Sequence, residues 1–351
     1  MIDFSSNSAS GSEAPQVQPA AGEHRIVGPL PSNVKPLGDL LEGIREDLFS
    51  NKPPVEYAVA AAPWGSIAFR PYEILAVAGP PANGKTALVM QWVFDAVRLN
   101  DNVRCLVVNV EMTPAKLIER QIARFSGVPM TDIQKRRNLD ASKRPICEAL
   151  NTLATIQDRL FFMSEPFNMA KIVEAVDATK PDVLVIDYIQ RIGSGYAATD
   201  VRMQVNAVMS ELRELANAGL AVVLVSAVGR TSSKRGGGYH GDAIGLGSFR
   251  ESSEIEYGID DGLLLIDENP DAHGGDGNQR EFTLRHVKSR NREPKSLRLK
   301  FIGAMQSFEV IEDETDENER AYAAAVAVGP RPPVAALKNP ESQHSGAMPR
   351  V

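Results

Sequence analysis

The segment that most constrains the fold lies at residues 79–86, which read Gly-Pro-Pro-Ala-Asn-Gly-Lys-Thr and match the pattern G-x-x-x-x-G-K-[ST]. An apolar segment suited to a strand precedes it at 73–78, and a segment suited to a helix follows at 87–99. A phosphate-binding loop needs this context, because its amide N–H groups and the N-terminus of the following helix must converge on one phosphate chain. The sequence therefore predicts an α/β domain that binds a nucleotide.

The residues of this loop have separate expected roles. Gly79 and Gly84 let the backbone turn tightly. Lys85 can reach the β- and γ-phosphates, and Thr86 can ligate Mg²⁺. We expect contacts with the nucleotide along the whole loop, from Gly79, Pro80, Pro81, Ala82, Asn83, Gly84, Lys85, Thr86 and Ala87. The alternative is a glycine-rich turn without a ligand, but the flanking strand and helix favour the phosphate-binding loop.

Composition sets the class of protein. The chain has 351 residues, 43% of them apolar, which is enough for a sizeable core. Its net charge is −7, so any nucleic-acid site must be a local basic patch. The two cysteines, Cys105 and Cys147, fit neither a disulfide framework nor a metal site, and Cys105 is expected in the core. Without a signal-peptide pattern or an apolar run long enough to cross a bilayer, we expect a cytoplasmic protein with no membrane partner.

The predicted organisation has four parts. Residues 1–36 and 312–351 have the composition of disordered segments, the second being acidic at its start and then rich in Ala and Pro. Residues 37–51 contain an amphipathic helix at Leu37–Phe49, which either covers the core or acts as a linker that docks on a neighbouring subunit. Residues 52–311 are expected to form the nucleotide-binding domain.

Strand and helix patterns alternate through this domain. The strand candidates lie at 74–78, 103–110, 159–163, 183–187, 221–226 and 262–266. The helix candidates lie at 87–99, 114–126, 146–156, 170–178 and 202–218. Continuous apolar strands separated by helices predict a mostly parallel sheet with helices on both faces. The last three segments, 280–290, 296–302 and 305–311, alternate in polarity and are expected to be antiparallel.

Two carboxylates are expected near the loop. Asp187 ends an apolar strand, where P-loop proteins place the carboxylate that holds Mg²⁺; the alternative is an aspartate that caps a turn. Glu111 also ends a strand, at the edge where ligands bind in open α/β sheets. Glu111 can therefore orient and deprotonate the attacking water, or it is a surface carboxylate near a helix start.

A cationic segment follows far downstream, at residues 288–291, and includes Lys288 and Arg290. A charge run is usually a solvated face. The alternative is an arginine supplied in trans, which is a common way to stabilise the charge that develops in phosphoryl transfer.

Six segments, in order and with similar spacing, resemble the C-terminal ATPase domain of the DnaB-type replicative helicases, which have the RecA fold. They are GPPANGKTA, NVEMTP, VLVIDYIQRI, VVLVSAVGR, SFRESSEIE and VKSRNREP followed by LRLKF. The resemblance covers roughly residues 52–311. It implies a RecA-like P-loop fold, ATP and Mg²⁺ as cofactors, single-stranded DNA as a partner and a ring of subunits, expected to be a hexamer. It also suggests a replication loader or primase as a further partner.

The resemblance also implies roles for single residues. Lys85 and Thr86 contact the phosphates and Mg²⁺, Glu111 is the general base, and Asp187 binds the metal. Lys288 and Arg290 extend into the nucleotide site of the adjacent subunit. The residues that fall on the family's DNA-backbone loop are Arg250, Glu251 and Ser253.

The segment at 229–239 is glycine-rich, basic and ends in one aromatic residue. In the resembled family such a loop faces the central channel, and this composition suits contact with a single-stranded backbone. We therefore expect Arg230, Lys234 and Arg235 to bind DNA. The alternative is a mobile solvated loop.

Three features depart from the family pattern. The glutamine that senses the γ-phosphate falls on Ala227, which cannot hydrogen-bond a phosphate. The glycine of the DNA loop falls on Ser253, which has less conformational freedom. We also expect no counterpart of the family's N-terminal helical domain, because only the helix at Leu37–Phe49 precedes the ATPase domain.

The resemblance therefore implies an ATP-hydrolysing DNA helicase or translocase that acts on single-stranded DNA in replication. The alternative is an accessory ATPase that does not unwind DNA and whose nucleotide state gates binding to DNA or to a replication protein. A small-molecule P-loop kinase would need a substrate-binding lid, and the sequence contains no such insertion.

Overall fold

The computed structural model describes residues 34–60, 64, 67–193, 201–227, 253–268 and 279–311. The chain divides into two compact units, Met1–Pro54 and Val55–Val351. In the first unit, the predicted helix is present as α1, Leu37–Phe49, and none of its residues is buried. The predicted disordered segments lie almost entirely outside the described residues, so the structure does not test them.

The second unit contains an α/β domain. Its elements in chain order are β1 (Tyr57–Ala58), β2 (Ala68–Phe69), β3 (Ile74–Gly79), α2 (Lys85–Leu99), β4 (Cys105–Asn109), α3 (Pro114–Ser126), α4 (Met130–Lys135), α5 (Lys143–Ala154), β5 (Leu160–Met163), α6 (Met169–Thr179), β6 (Val183–Asp187), α7 (Val201–Asn217), β7 (Ala221–Ala227), α8 (Ser253–Gly258), β8 (Asp261–Asp267), β9 (Gln279–Ser289), β10 (Leu297–Ile302) and β11 (Ser307–Val310). β1 and β2 pair as a small antiparallel ladder.

The other nine strands form one sheet in the order β11-β10-β9-β8-β3-β7-β6-β4-β5. The six neighbouring strands β8, β3, β7, β6, β4 and β5 run parallel to one another. Beside β8, the strands β9, β10 and β11 follow in antiparallel pairs. The predicted mostly parallel sheet with antiparallel strands at the C-terminal end is therefore confirmed.

The central strands are apolar throughout because both faces of the sheet are covered. In β3, Leu75 and Val77 belong to one hydrophobic cluster, whereas Ile74, Ala76 and Ala78 belong to the other. This alternation follows from the two-residue period of a strand. Helix α2 packs into the first cluster and α7 into the second, so the sheet is the middle layer of three.

The differences from the predicted elements have local causes. Helix α5 begins three residues earlier than predicted, because Pro145 fits in a first turn whose N–H groups have no intrahelical partner. Strand β4 begins at Cys105, which is buried as predicted, because Val103 is held in a turn by Asn100. The elements that were not predicted, β1, β2, α4 and α8, are too short to show a periodic pattern.

Parallel strands bring their C-terminal ends to one edge of the sheet. This edge, here called the cleft edge, carries the loop after β3, Asn109 at the end of β4, Asp187 at the end of β6 and Ala227 at the end of β7. The opposite end of the same strands, here called the anchor edge, includes Ile74 of β3 and Asp261 of β8.

Candidate nucleotide-binding site

The loop between β3 and α2 depends on its two glycines. A Cβ at Gly79 would lie 2.6 Å from the backbone oxygen of Leu265 in β8, so no side chain fits there. Gly84 has φ +83°, in the left-handed region that glycine occupies without strain, and α2 begins at the next residue. The Asn83 amide donates to the Leu265 oxygen at 3.2 Å, so its side chain joins the loop to β8.

Lys85 lies in the first turn of α2, directly beside the loop. Its ammonium donates to the carbonyl oxygens of Gly79 and Pro80, both at 2.8 Å. Burial lowers the pKa of Lys85, while the negative charges of Asp187 and Glu111 act in the opposite direction. The site therefore holds one partly desolvated cation between two carboxylates.

Asp187 is 1% exposed at the end of β6. It accepts a hydrogen bond from the Asn109 amide at 2.6 Å, and the Thr86 side chain lies beside it. Burial, together with the negative charge of Glu111, raises the pKa of Asp187 to about 6, although Thr86, Lys85 and Arg120 act in the opposite direction. The nearby positive charges therefore do not fully compensate for the burial of this carboxylate.

The predicted metal ligands fit a magnesium ion. Thr86 and Asp187 meet at the cleft edge and offer oxygen atoms, which Mg²⁺ prefers. A cation here would offset the cost of the buried charge on Asp187. Among the described residues there is no cluster of three or more His, Cys, Asp or Glu that would enclose a metal. Mg²⁺ is usually held by one or two protein ligands together with substrate phosphates.

Asn109 is a site residue that the sequence analysis missed. It is 6% exposed and pairs across the sheet with Asp187. Besides donating to that carboxylate, it accepts from the amides of Glu111 at 3.0 Å and Met112 at 2.7 Å. The Asn109 side chain therefore holds both the Asp187 carboxylate and the backbone of the segment that carries Glu111. The available signal was a polar residue at the end of an apolar strand next to a predicted ligand.

The phosphate-binding loop, Glu111 and Asp187 border one cleft of about 440 Å³. The lining residues are Pro81, Ala82, Gly84, Lys85, Thr86, Ala87, Glu111, Met112, Arg120, Asp187, Tyr188, Val225, Ala227, Arg280, Phe301 and Gln306. Four predicted chemical residues, Lys85, Thr86, Glu111 and Asp187, are therefore brought together, and Ala227 lies beside them, as expected from the resemblance. Of the predicted loop residues, Gly79, Pro80 and Asn83 do not line it.

Two arginines of the cleft were not predicted. Burial lowers the pKa of Arg120 on α3, against the opposing effect of Asp187. Arg280 on β9 donates to Ala82 O at 3.3 Å, and its guanidinium lies 5.4 Å from the ring centroid of Phe301. A signal existed for Arg120, which is adjacent to Gln121 and one turn from Leu117 on the buried face of α3. Arg280 reaches the cleft only through the pairing of β8 with β9.

Lys288 and Arg290 lie away from this cleft. They are at the end of β9, where Ser289 pairs with Asp261, and Asp261 pairs in turn with Leu75 near the start of β3. Roughly 13 Å of strand separates that position from Gly79. Neither cation lines the cleft of its own subunit. Their side chains bond instead to carbonyl oxygens of α8, Lys288 to Glu256 and Arg290 to Tyr257.

The predicted DNA-binding residues are mostly not described. Arg230, Lys234, Arg235, Arg250 and Glu251 lie outside the described residues. Ser253 begins α8, and its side chain is likewise not described. These assignments stay predictions.

None of the helices within the described ranges combines the length and the apolar character that crossing a membrane would require.

Comparison with known proteins agrees with the fold. The family model for the DnaB-like helicase C-terminal domain matches residues 67–310. A curated relative, a probable plasmid replicative DNA helicase of Chlamydia psittaci, is 26% identical over 197 residues, which cover 54% of this chain and 41% of the relative. The chain thus spans less than half the length of that relative.

Two solved structures share the fold. One is the structure of an ATPase domain; it aligns with a TM-score of 0.65 and 18% identity, covering 80% of this chain and all of that domain. The other, a DnaB-like replicative helicase studied for its interactions with primase, aligns with a TM-score of 0.66 and 17% identity, covering 80% of this chain and 68% of that one. Since the family model spans more than half of the sequence and the sheet has the RecA-like arrangement of these ATPase domains, the chain belongs to the family of DnaB-like helicase C-terminal domains.

Proposed function

We propose that this protein hydrolyses ATP with Mg²⁺ and uses the energy to move along single-stranded DNA as a replicative helicase or translocase. The observation that carries the proposal is the meeting of Lys85, Thr86, Glu111 and Asp187 in one cleft at the C-terminal ends of the parallel strands. Each has a chemical type that ATP hydrolysis needs, and the family membership makes DNA the fitting second substrate.

Each residue has a defined task in this proposal. The loop amides and Lys85 bind the phosphate chain and stabilise its negative charge. Thr86 and Asp187 hold Mg²⁺, which supplies further charge stabilisation at the β- and γ-phosphates when bound. Glu111 orients a water molecule and takes its proton. Asn109 keeps Glu111 and Asp187 in register. Arg120 adds a further cation, besides Lys85 and Mg²⁺, at the wall of the cleft.

The catalytic set needs a second subunit in this proposal. Arg290 and Lys288 act on the nucleotide of the adjacent subunit, in a head-to-tail ring of six. Support comes from their position at the anchor edge, roughly 13 Å of strand from the loop of their own subunit. Support also comes from the exposure of the Arg290 side chain, which is 47%. Such a trans arginine can raise phosphoryl-transfer rates by roughly 10³- to 10⁵-fold.

DNA binding is assigned to a local basic region, because the whole chain is acidic. The proposed contacts are Arg230, Lys234, Arg235, Arg250, Glu251 and Ser253. A primase or a helicase loader is a candidate protein partner. One of the similar solved structures is of a DnaB-like replicative helicase and its interactions with primase.

A second function is favoured by one observation. Ala227 lines the cleft at the end of β7. Its methyl group cannot form a hydrogen bond with a γ-phosphate, so this residue cannot couple nucleotide state to DNA binding. This favours an accessory ATPase that binds DNA or a replication protein without unwinding.

ATP hydrolysis and displacement of a strand from a forked duplex, each measured with and without single-stranded DNA, separate these functions. The helicase proposal expects ATPase activity that DNA stimulates and that drives strand displacement. The accessory function expects hydrolysis without displacement. No hydrolysis under any condition, with purified protein and Mg²⁺, would contradict both.

A further inference from the structure

Asp260 is a buried carboxylate at the anchor edge, between α8 and β8. It is 6% exposed. One oxygen accepts the backbone N–H of Ile74 at 2.8 Å and the Arg213 guanidinium at 2.8 Å. The other oxygen accepts the Arg290 guanidinium at 3.0 Å. A single carboxylate therefore joins the first residue of β3, helix α7 and the cation at the end of β9.

Arg290 is held at more than one point. Its backbone N–H donates to the Asp260 carbonyl at 3.1 Å, and its second terminal nitrogen donates to the Tyr257 carbonyl. Lys288 donates to the neighbouring Glu256 carbonyl. Carbonyl groups at the end of a helix lack intrahelical partners, and cations are stabilised beside them. The last turn of α8 therefore completes the set of acceptors around both cations.

We infer that Asp260 is the positioning residue of Arg290. The inference rests on the proposed function, in which Arg290 acts on the neighbour's nucleotide. An unrestrained arginine samples many rotamers, and the loss of that freedom opposes each encounter with a phosphate. Asp260 and the Tyr257 carbonyl hold two of the guanidinium nitrogens, while about half of the side chain stays exposed. Holding the group in place beforehand removes this cost from the catalytic step.

Asp260 also anchors β3 and α7, so a purely structural role must be separated from a positioning role. Asp261 provides the matched control. It is 5% exposed, lies at the same edge, and pairs with His286 at 3.2 Å and with Arg292. Neither of these pairs involves the Arg290 side chain.

The test compares Asp260→Asn with Asp261→Asn in the full chain. Asparagine can still accept the Ile74 N–H, but its amide cannot neutralise a guanidinium. We expect Asp260→Asn to lower kcat for ATP about 10- to 100-fold, the scale of a small misplacement. The Kd for a non-hydrolysable ATP analogue should not change. Asp261→Asn should keep kcat near that of the wild type even where its thermal unfolding midpoint falls. Equal kcat losses in the two variants, or none in Asp260→Asn, would overturn the inference.

Arg290→Ala, alone and combined with Asp260→Asn, separates this inference from the proposed function. If Asp260 acts through Arg290, Asp260→Asn causes no further loss of kcat once Arg290 is absent. A further loss of equal size would overturn the inference. If Arg290→Ala lowers kcat and Asp260→Asn does not, only the positioning role fails. If Arg290→Ala has the kcat of the wild type, the trans role in the proposed function fails, and the positioning role fails with it.

Should Asp260→Asn not fold, as judged by circular dichroism, Asp260→Glu replaces it. Glutamate keeps the charge but shifts it by one methylene, so the pair forms in a displaced position. The expected result is again a loss of kcat that disappears in the Arg290→Ala background. A folded Asp260→Glu protein with the kcat of the wild type would overturn the inference.

Discussion

Asp187 at the cleft edge and Asp261 at the anchor edge are both buried, and the two carboxylates have opposite pKa shifts. Burial raises the pKa of Asp187 to about 6, because the surrounding hydrogen bonds and cations do not compensate for it. Burial also raises the pKa of Asp261, but hydrogen bonds from His286 and Arg292 outweigh it and bring the pKa to about 2. Both residues are almost fully shielded from solvent, and they differ in the cations and hydrogen-bond donors beside them.

The comparison shows where the domain uses charge for binding and where it uses charge for stability. At the anchor edge, Arg292 bridges Glu73 at 2.6 Å and Asp261, so β3, β8 and the segment after β9 are joined. At the cleft edge, the buried charge of Asp187 is left partly uncompensated, which costs stability in the free protein and favours a bound cation. Such an exchange of stability for function is common at active sites.

The largest expected effect tests the cleft edge. Lys85→Ala should lower ATP turnover by about 10²- to 10³-fold, because it removes charge stabilisation of the phosphates. The unfolding midpoint should change little, since the hydrogen bonds of the ammonium to Gly79 and Pro80 and its attraction to Asp187 and Glu111 offset the cost of its own burial. Steady-state ATPase assays and thermal unfolding measure the two quantities. Turnover equal to that of the wild type would remove Lys85 from the site.

The matching change at the anchor edge is Arg292→Ala. It leaves Glu73 and Asp261 without their shared partner, and we expect a loss of about 3 kcal/mol in the free energy of unfolding. Nucleotide affinity of the folded protein should stay unchanged. Urea denaturation and ATP-analogue titration provide the two measurements. Weaker nucleotide binding with unchanged stability would reverse the roles assigned to the two edges.

A third prediction concerns pH. Because the pKa of Asp187 rises from 3.8 to about 6 on folding, the native state binds more protons than the unfolded state between these values. Stability from this group is therefore lost as pH increases through that window. In the presence of a chelator, Asp187→Asn should have a free energy of unfolding up to about 3 kcal/mol higher than the wild type at pH 8. This difference should vanish near pH 4.

The same Asp187→Asn variant should lose ATPase activity, because the metal-side carboxylate is gone. Denaturation curves from pH 4 to pH 8 check the stability, and a variant less stable than the wild type at pH 8 would show that the Asp187 charge is already compensated.

The smallest expected effect concerns the basic segment at 229–239, between β7 and α8 in the sequence. Replacing Lys234 and Arg235 with alanine should reduce the slope of log affinity against log salt by about 1.4, because each contact with a single-stranded phosphate contributes about 0.7. Fluorescence anisotropy with an oligonucleotide at several salt concentrations measures it. An unchanged slope would assign this segment to the solvated-loop alternative.

The cleft edge could be predicted further from sequence than the anchor edge. The loop residues are contiguous, and Glu111 and Asp187 each end an apolar strand, so the rule that parallel strands share one edge brings them together. Asn109 follows the same rule and could have been added. Arg280 could not, because its place depends on an antiparallel pairing of β9 with β8 that no local pattern specifies.

The anchor edge depends on contacts between distant parts of the chain. Glu73 and Arg292 are 219 positions apart, and Asp260 and Ile74 are 186 positions apart. Their residue types are ordinary for loops and strand ends, so the sequence marked Arg290 only as part of a cationic segment and through its resemblance to a family. Its partners became evident only from the fold.

Strand β3 gives these two edges a common mechanical element. It has six residues, all buried, and is bonded along both sides to β7 and β8. Its last residue begins the phosphate-binding loop, and its first amide is bonded to the carboxylate that holds Arg290. In the proposed ring, a shift of β3 would therefore displace both the subunit's own phosphate-binding loop and the arginine that we propose for the neighbour's nucleotide. If β3 is destabilised in one subunit, we expect the ring to lose the sequential order of ATP hydrolysis among its subunits. This loss should come before any subunit loses the capacity to bind ATP.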